Sequence, residues 1–302
     1  MIAKRALAAC LVELERDPES ASSRQAIDEA WRSPKAHVVG VTGPPGVGKS
    51  SLCAALLAAW RREGKTVGVI AVDPSSRASG GALLGDRMRI VHDSSDDGSF
   101  VRSMAARDRL GGLADQTLAA MVVMRARFDR VLIETVGVGQ SETDVAGVAD
   151  TVMFCVQPGS GDSLQFMKAG IVEIPHLVVV TKVDLGAAAE RALADVAGAL
   201  SLAAAGGDWK TVTLAVSARG GIGMDKLMAA LEAHRAHLAE QGRLAVARHR
   251  QAEGWVAEAF RERYGKRGLA RLAELGLDAS LPAGGQPFER LAELSARLEK
   301  AR

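Results

Sequence analysis

The sequence predicts an α/β fold, a mostly parallel sheet flanked by helices. Three observations predict it. Apolar runs of strand length alternate with helical patterns from residue 37 to residue 239. One of these runs, His37 to Thr42, leads directly into the glycine-rich stretch GPPGVGKS at 43–50. Uninterrupted apolar strands separated by helices are typical of a parallel sheet that is covered on both faces.

The elements follow from their patterns in chain order. Residues 1–35 predict a short N-terminal segment of one or two helices that ends near Ser33 and Pro34. Residues 36–240 form the predicted nucleotide-binding domain. Its predicted strands are 37–42, 66–72, 130–134, 150–156, 176–181 and 211–216, and its predicted helices are 51–60, 114–128, 164–173, 187–205 and 222–239. Each strand ends at a motif that carries chemistry, so we expect those motifs to meet at one edge of the sheet.

Residues 241–302 differ in composition, because they contain no run typical of a strand. Residues 243–275 and 286–301 predict two charged helices that form a C-terminal arm. Leucines at helical spacing give these helices apolar faces. The leucines are Leu269, Leu272, Leu275, Leu291, Leu294 and Leu298. A short tail has little core of its own, which favours a dimer interface, and the alternative is packing onto the chain's own core.

Composition limits the classes of partner. The chain has 302 residues and a net charge of +2, which predicts neither a nucleic-acid partner nor an anionic membrane surface. Its three cysteines, Cys10, Cys53 and Cys155, are far apart and suit a reducing compartment, with the last two expected as small buried residues. There is no clear signal peptide and no apolar stretch of membrane-spanning length, so a cytoplasmic location is expected.

The stretch at 43–50 matches the phosphate-binding motif G-x-x-x-x-G-K-[ST] in a strand–loop–helix setting. Glycines let the backbone curl around an anion, and the helix N-terminus that follows directs N–H groups at phosphates. Lys49 is expected on the β- and γ-phosphates, Ser50 on Mg²⁺ and Ser51 on the α-phosphate. The predicted phosphate-binding residues are Gly43, Pro45, Gly46, Val47, Gly48, Lys49, Ser50, Ser51 and Gly137.

Two later elements indicate which base is bound. Thr181-Lys182-Val183-Asp184 follows a predicted strand, and its x-K-x-D pattern is typical of guanine-binding loops. The Asp184 carboxylate can accept from N1–H and the N2 amino group of guanine, and adenine offers neither donor there. Ser217, Ala218 and Arg219 form a second loop that supports the base. Thr181 stands where asparagine is usual, and an ordinary surface ion pair of Lys182 with Asp184 is the simpler alternative.

Carboxylates after two further strands predict the metal shell and the switch. Glu134 ends the strand at 130–134, and Gly137 follows where its amide would sense the γ-phosphate. Asp73 and Asp86 are candidates for the same Mg²⁺ shell, although Asp73 could simply be a turn residue before proline. Val138 occupies the place of a water-orienting glutamine, so slow hydrolysis without help is expected, and Gln140 is a nearby switch candidate.

Together these segments resemble the MeaB/ArgK family of P-loop GTPases, the G-protein chaperones of adenosylcobalamin-dependent acyl-CoA mutases. The resemblance covers about residues 35–240. The matching segments are GPPGVGKSS at 43–51, VDPSSRASGGALLGDR at 72–87, ETVGVGQSE at 134–142, QPGSGDSLQFMKAGI at 157–171, TKVD at 181–184 and SAR at 217–219.

The resemblance implies a homodimeric GTPase that uses Mg²⁺ and cycles between GTP and GDP. That cycle would gate the loading, protection and reactivation of adenosylcobalamin on a partner mutase, methylmalonyl-CoA mutase being the type. A cobalamin adenosyltransferase is a second candidate partner. The resemblance also implies that 157–171 is a mobile switch containing Asp162 and Lys168. Lys168 would act on developing phosphate charge, or it could be an ordinary solvated lysine.

The cobalamin is expected on the partner, because this chain has no D-x-H-x-x-G motif. Two other functions are weighed against this one. A nickel-delivery GTPase would need clustered Cys or His ligands, and the nearest pair is His234 and His237, which the charged helical pattern places on an exposed face. A transport-linked ATPase or kinase acting on basic amino acids would not need the guanine-binding Asp184.

Overall fold

The structure is a computed structural model that describes residues 4–74, 93, 95–106, 115–135, 137, 144–159, 173–202 and 208–301. Within these residues, seven strands form one sheet in the order β3-β2-β4-β1-β5-β6-β7, and every neighbouring pair is parallel. The strands are β1 His37–Thr42, β2 Val67–Pro74, β3 Ser99–Ala106, β4 Arg130–Glu134, β5 Thr151–Val156, β6 Leu177–Val180 and β7 Val212–Ala215.

Six of the strands lie where the sequence predicts them, within about two residues at each end. Strand β3 was not predicted. In the described part of the chain it lies at the edge of the sheet and pairs with β2 alone, and its side chains are mixed because Arg102 lies within it. A strand that is paired along one edge alone does not need the uninterrupted apolar run by which central parallel strands are recognised. The predicted helix at 164–173 lies almost entirely outside the described residues.

Helices cover both faces of the sheet. The α-helices of the described chain are α1 Lys4–Arg16, α2 Ala21–Arg32, α3 Lys49–Arg62, α4 Asp115–Arg127, α5 Ala187–Leu202, α6 Met224–Ala239, α7 Arg243–Glu274 and α8 Pro287–Lys300. Helices α1, α2, α4 and α5 pack on one face, and α3 and α6 pack on the other. Alternate residues of the central strands supply the two cores, as in Val38 and Val39, because successive side chains of a strand point to opposite faces.

The C-terminal arm is folded onto the rest of the chain. Helix α7 kinks at Gly265, where φ is +66°, and α8 packs back against it. Leu272, Leu291, Leu294 and Leu298 are buried in their shared core. These apolar faces therefore satisfy each other, whereas Leu275 stays 38% exposed. Dimerisation of the arm stays a prediction, and it would have to use other side chains than the four buried leucines.

Among the described residues, no helix is long and apolar enough to cross a membrane.

Candidate functional site

The candidate site lies at the carboxyl edge of the sheet, around the central strand β1. The phosphate loop follows β1, Glu134 ends its neighbour β4, and Gln157 follows β5. Thr181 comes directly after β6, and Ser217 is the second residue after β7. Parallel strands end at the same edge, so motifs separated by up to 174 positions in the chain converge there.

Three glycines shape the phosphate loop. Gly46 and Gly48 have φ of +75° and +103°, with open space where a Cβ would stand. Gly43 has φ of +132°, and a Cβ on it would lie 2.2 Å from the Cys155 carbonyl oxygen of β5. Backbone in this left-handed region strongly favours glycine. The loop therefore curls at these three glycines, and Val47 anchors it in the core with no exposed surface.

Lys49 opens helix α3 and is the cation of the loop. Its side chain is buried, and Nζ donates to the carbonyl oxygens of Gly43 at 2.7 Å and Pro44 at 3.0 Å. The ammonium is thus held across the loop beside the positive end of the helix dipole. This arrangement concentrates positive charge where the phosphate-binding motif predicts phosphate.

Ser50 and Glu134 meet beside that lysine. The Ser50 hydroxyl donates to Glu134 Oε1 at 2.5 Å, although 84 positions separate the two residues. Hydroxyl and carboxylate oxygens are the ligands that Mg²⁺ prefers, so this pair fits the predicted metal. The backbone of Asp73 lies near the end of β2, which neighbours β4. The Asp73 side chain and all of Asp86 lie outside the described residues.

Gly137 packs against the phosphate loop. It has φ of +78°, and a Cβ there would lie 1.9 Å from the Gly43 carbonyl oxygen and 2.7 Å from Lys49 Nζ. Thr135, two residues earlier, is buried; its amide donates to the Val41 carbonyl and its hydroxyl to Thr42 Oγ1. Only glycine allows this approach of the switch backbone to the loop. Gln140, Asp162 and Lys168 lie outside the described residues.

Thr181 holds the phosphate loop. Its hydroxyl lies 2.7 Å from the Val47 carbonyl oxygen and 3.0 Å from the Val156 carbonyl oxygen, and the side chain is buried. The hydroxyl hydrogen is shared between acceptors of the loop and of β5. Thr181 is therefore positioned to fix the loop relative to the base-binding segment, a contact that the sequence did not indicate.

Lys182 joins the same two regions. Its backbone is left-handed, with φ of +54°, and its ammonium donates to the Gly46 carbonyl at 2.8 Å and to Gln157 Oε1 at 2.7 Å. A left-handed non-glycine residue stores strain of about 1 kcal/mol or more and often marks a functional loop. Gln157 was missed as an individual residue, although it begins the segment singled out at 157–171.

Asp184 and Ser217 lie in the two loops that the sequence predicts to bind the base. Asp184 is exposed, and a hydrogen bond from Ser217, helped by the charges of Arg219 and Lys182, lowers the pKa of its carboxyl. Ser217 is buried, and its amide donates to the Ile222 carbonyl. Ala218 is partly buried against the core, and Arg219 is exposed. The Val183 amide donates to the Val216 carbonyl, which joins the two segments, and the Asp184 carboxylate faces outward.

The positions of the cysteines and histidines concern the alternative of a nickel-delivery GTPase, which would need clustered ligands. Cys53 and Cys155 are fully buried, as predicted, and burial raises the pKa of Cys155 to about 12. His234 is 1% exposed, so its predicted exposed position was wrong. It lies under Trp209 and His176, with ring centroids 4.6 and 4.1 Å away. In the part of the chain that the structure describes, no three His, Cys, Asp or Glu side chains form a group able to hold a metal ion.

Comparison with known proteins identifies the family. The family model described as "Methylmalonyl Co-A mutase-associated GTPase MeaB" matches residues 5–272. The chain belongs to this family. A candidate GTPase of Pyrococcus horikoshii is 44% identical over 222 residues, which cover 72% of this chain and 70% of that protein. This MeaB-family chain therefore has the relatives that its motifs predict.

Two further relatives extend the comparison. The mouse protein named methylmalonic aciduria type A homolog, mitochondrial, is 37% identical over 228 residues, which are 74% of this chain and 55% of that protein. A solved structure of a LAO/AO transport system kinase is 27% identical, with a TM-score of 0.70, and the match covers 98% of this chain and 94% of that one. The fold and the family are thus shown together.

Proposed function

We propose that this MeaB-family chain binds GTP with Mg²⁺, hydrolyses it, and uses the cycle to serve an adenosylcobalamin-dependent acyl-CoA mutase. One observation carries the nucleotide part. Thr181 and Lys182 bond directly to Val47 and Gly46, so the base-reading segment and the phosphate loop form one connected site. A site of that construction suits a single ligand that has both a base and phosphates.

The phosphate end supports hydrolysis. Lys49 would leave the Gly43 and Pro44 carbonyls for the β- and γ-phosphates and offset charge that develops on them. Mg²⁺ would be held by Ser50 and Glu134, with Asp73 and Asp86 as further candidates, and it would neutralise phosphate charge. The Gly137 amide would sense the γ-phosphate. With Val138 in place of a glutamine, we propose slow hydrolysis that the partner stimulates, with Lys168 as the assisting cation.

The base end supports guanine. Asp184 is exposed and its environment lowers the pKa of its carboxyl, so the carboxylate can accept two hydrogen bonds from the guanine edge. The test is competition between nucleotides: GDP should displace a fluorescent GDP analogue, and ADP should fail at a thousandfold excess. Asp184→Asn should gain affinity for xanthosine diphosphate, whose C2 carbonyl suits an amide donor. Equal binding of ADP and GDP would exclude the guanine site and favour the transport-linked ATPase.

The proposed mutase partner is argued from the family to which the chain belongs. Its model is described as methylmalonyl-CoA mutase-associated, and one relative bears the name of methylmalonic aciduria type A. We propose a cytoplasmic homodimer that gates adenosylcobalamin loading and reactivation, with the cobalamin held by the mutase or delivered by an adenosyltransferase.

Three measurements test the partner. Affinity purification from the native host should recover an acyl-CoA mutase, and adding that mutase should raise GTP turnover. Lys168→Ala should abolish the stimulation and spare GDP affinity. Unchanged stimulation would remove Lys168 from the mechanism, and a failure of every purified acyl-CoA mutase to change turnover would contradict the chaperone function.

A further inference from the structure

Gln157 is a side chain that the family's motifs do not assign to the nucleotide. It follows β5 directly and precedes the buried Pro158. The next residue, Gly159, has φ of +76°. Strand β5 pairs with β6 so that Val156 lies beside Val180. Gln157 therefore lies beside the segment that begins at Thr181. Its strand, β5, also neighbours β1, the strand that leads into the phosphate loop.

The contact between Gln157 and Lys182 completes a three-way junction. The Lys182 ammonium donates to the Gly46 carbonyl at 2.8 Å and to Gln157 Oε1 at 2.7 Å. One acceptor thus belongs to the phosphate loop and the other to the loop after β5. Since an ammonium needs its donors satisfied, two fixed acceptors restrict where the lysine stem can lie.

The backbone conformation of Lys182 explains why a fixed position of its side chain is important. Its left-handed conformation is unfavourable for a residue with a Cβ, so surrounding contacts must hold it. The next residues turn directly into the helical turn Val183–Leu185 that carries Asp184. A shift of Lys182 would therefore move the carboxylate that reads the base.

We propose that Gln157 is a positioning residue for the guanine nucleotide, acting through Lys182. Its amide oxygen holds the ammonium against the phosphate loop, so that the lysine stem forms a fixed platform along one face of the purine ring. This inference rests on the proposed guanine site.

The experiment compares three variants with the wild-type protein. Gln157→Leu removes the acceptor at similar size, and Gln157→Glu keeps an acceptor. Gln25→Leu is the control at an exposed position of helix α2, where Gln25 Nε2 donates to Glu29 Oε1. Isothermal titration gives the affinity for GDP, GTP and inosine diphosphate, and steady-state assays give kcat and KM for GTP.

Gln157→Leu should weaken all three nucleotides by the same factor, about tenfold, because the ring face is common to guanine and hypoxanthine. It should raise KM for GTP and leave kcat within about twofold of wild type. Gln157→Glu should bind within about threefold of wild type, and Gln25→Leu should be unchanged. If Gln157→Leu does not fold, Gln157→Met replaces it.

Wild-type affinity in Gln157→Leu would overturn the inference, as would a loss in kcat alone. Asp184→Asn is measured in parallel, because it should lose the preference for GDP over inosine diphosphate. If Asp184→Asn keeps that preference, the proposed guanine site fails. The role of Gln157 is then still tested by Gln157→Leu, through the equal loss of affinity expected for all three nucleotides.

Discussion

The guanidinium of Arg248 donates two hydrogen bonds to the buried carboxylate of Asp150, at 2.8 and 2.7 Å. Arg248 lies on α7, in the C-terminal arm, and Asp150 directly precedes the central strand β5. Asp150 also accepts from the Val38 amide, and Arg248 donates to the Ala36 carbonyl. The arm is thus fastened to the amino-terminal edge of the sheet, opposite the nucleotide site.

Removing Arg248 should destabilise the whole chain. Burial raises the pKa of Asp150, but the hydrogen bonds and charge of Arg248 outweigh it, so the pKa lies below its usual value. Arg248→Ala leaves that charge buried and should lower the free energy of unfolding by about 3–5 kcal/mol, measured by urea denaturation. Arg250→Ala, at an exposed position two residues further along α7, should change it by less than about 0.5 kcal/mol. A loss below 1 kcal/mol in Arg248→Ala would show that the arm is held by other contacts.

Gly137→Ala should slow GTP turnover. The added Cβ would collide with the Gly43 carbonyl oxygen and approach Lys49 Nζ, both of which are part of the phosphate loop. We expect kcat for GTP to fall at least about tenfold, which is about 1.4 kcal/mol in the barrier. Gly254→Ala in α7 is the matched control, because nothing lies within 4 Å of its added Cβ. Its melting temperature should be equal or higher, and normal turnover in Gly137→Ala would contradict the close approach.

Thr181→Val should weaken nucleotide binding without changing the size of the side chain. It removes the hydroxyl that bonds the Val47 carbonyl, so the phosphate loop loses an anchor. The lost bond is worth about 1 kcal/mol, which corresponds to a roughly fivefold weaker affinity for GDP in isothermal titration. Thr181→Ser keeps the hydroxyl and should bind within about twofold of wild type. Wild-type affinity for GDP in Thr181→Val would show that this hydroxyl does not hold the loop for binding.

Stability should fall as the pH drops from about 6.5 to about 4. Burial, reinforced by Arg130 and Arg248 and opposed by Asp150, lowers the pKa of His37 to about 4. The unfolded chain takes up this proton near pH 6.5 and the folded chain does not, so acid favours unfolding across that window. At about 1.36 kcal/mol per pKa unit, the loss from His37 is at most about 3.4 kcal/mol. Urea denaturation at pH 7 and pH 5 measures it.

The control for this pH dependence is His37→Gln, which removes the titrating group and keeps a polar partner for Thr151. Its stability should change less between the two pH values than that of the wild-type chain. A residual slope is expected from His176, whose pKa burial also lowers to about 4. An identical slope in both proteins would assign the pH dependence to groups other than His37.

Local motifs were predictable because each is a contiguous stretch with its own backbone requirements. The glycines of the phosphate loop, the strand before it and Asp184 after β6 were all found from residue types and spacing. The pairing of Ser50 with Glu134 follows from the rule that parallel strands end at one edge. Strand β3 was missed because an edge strand with a mixed face lacks the periodicity of a central one.

By itself, the sequence determined the class of fold and the family, and it predicted the nucleotide chemistry, since these depend on short motifs in a set order. The tertiary structure alone decided that Thr181 and Lys182 tie the base segment to the phosphate loop, that His234 is buried, and that the arm's leucines face one another. The physical reason is distance along the chain. Arg248 and Asp150 are 98 positions apart, and local periodicity contains no information about which distant polar group a side chain will meet.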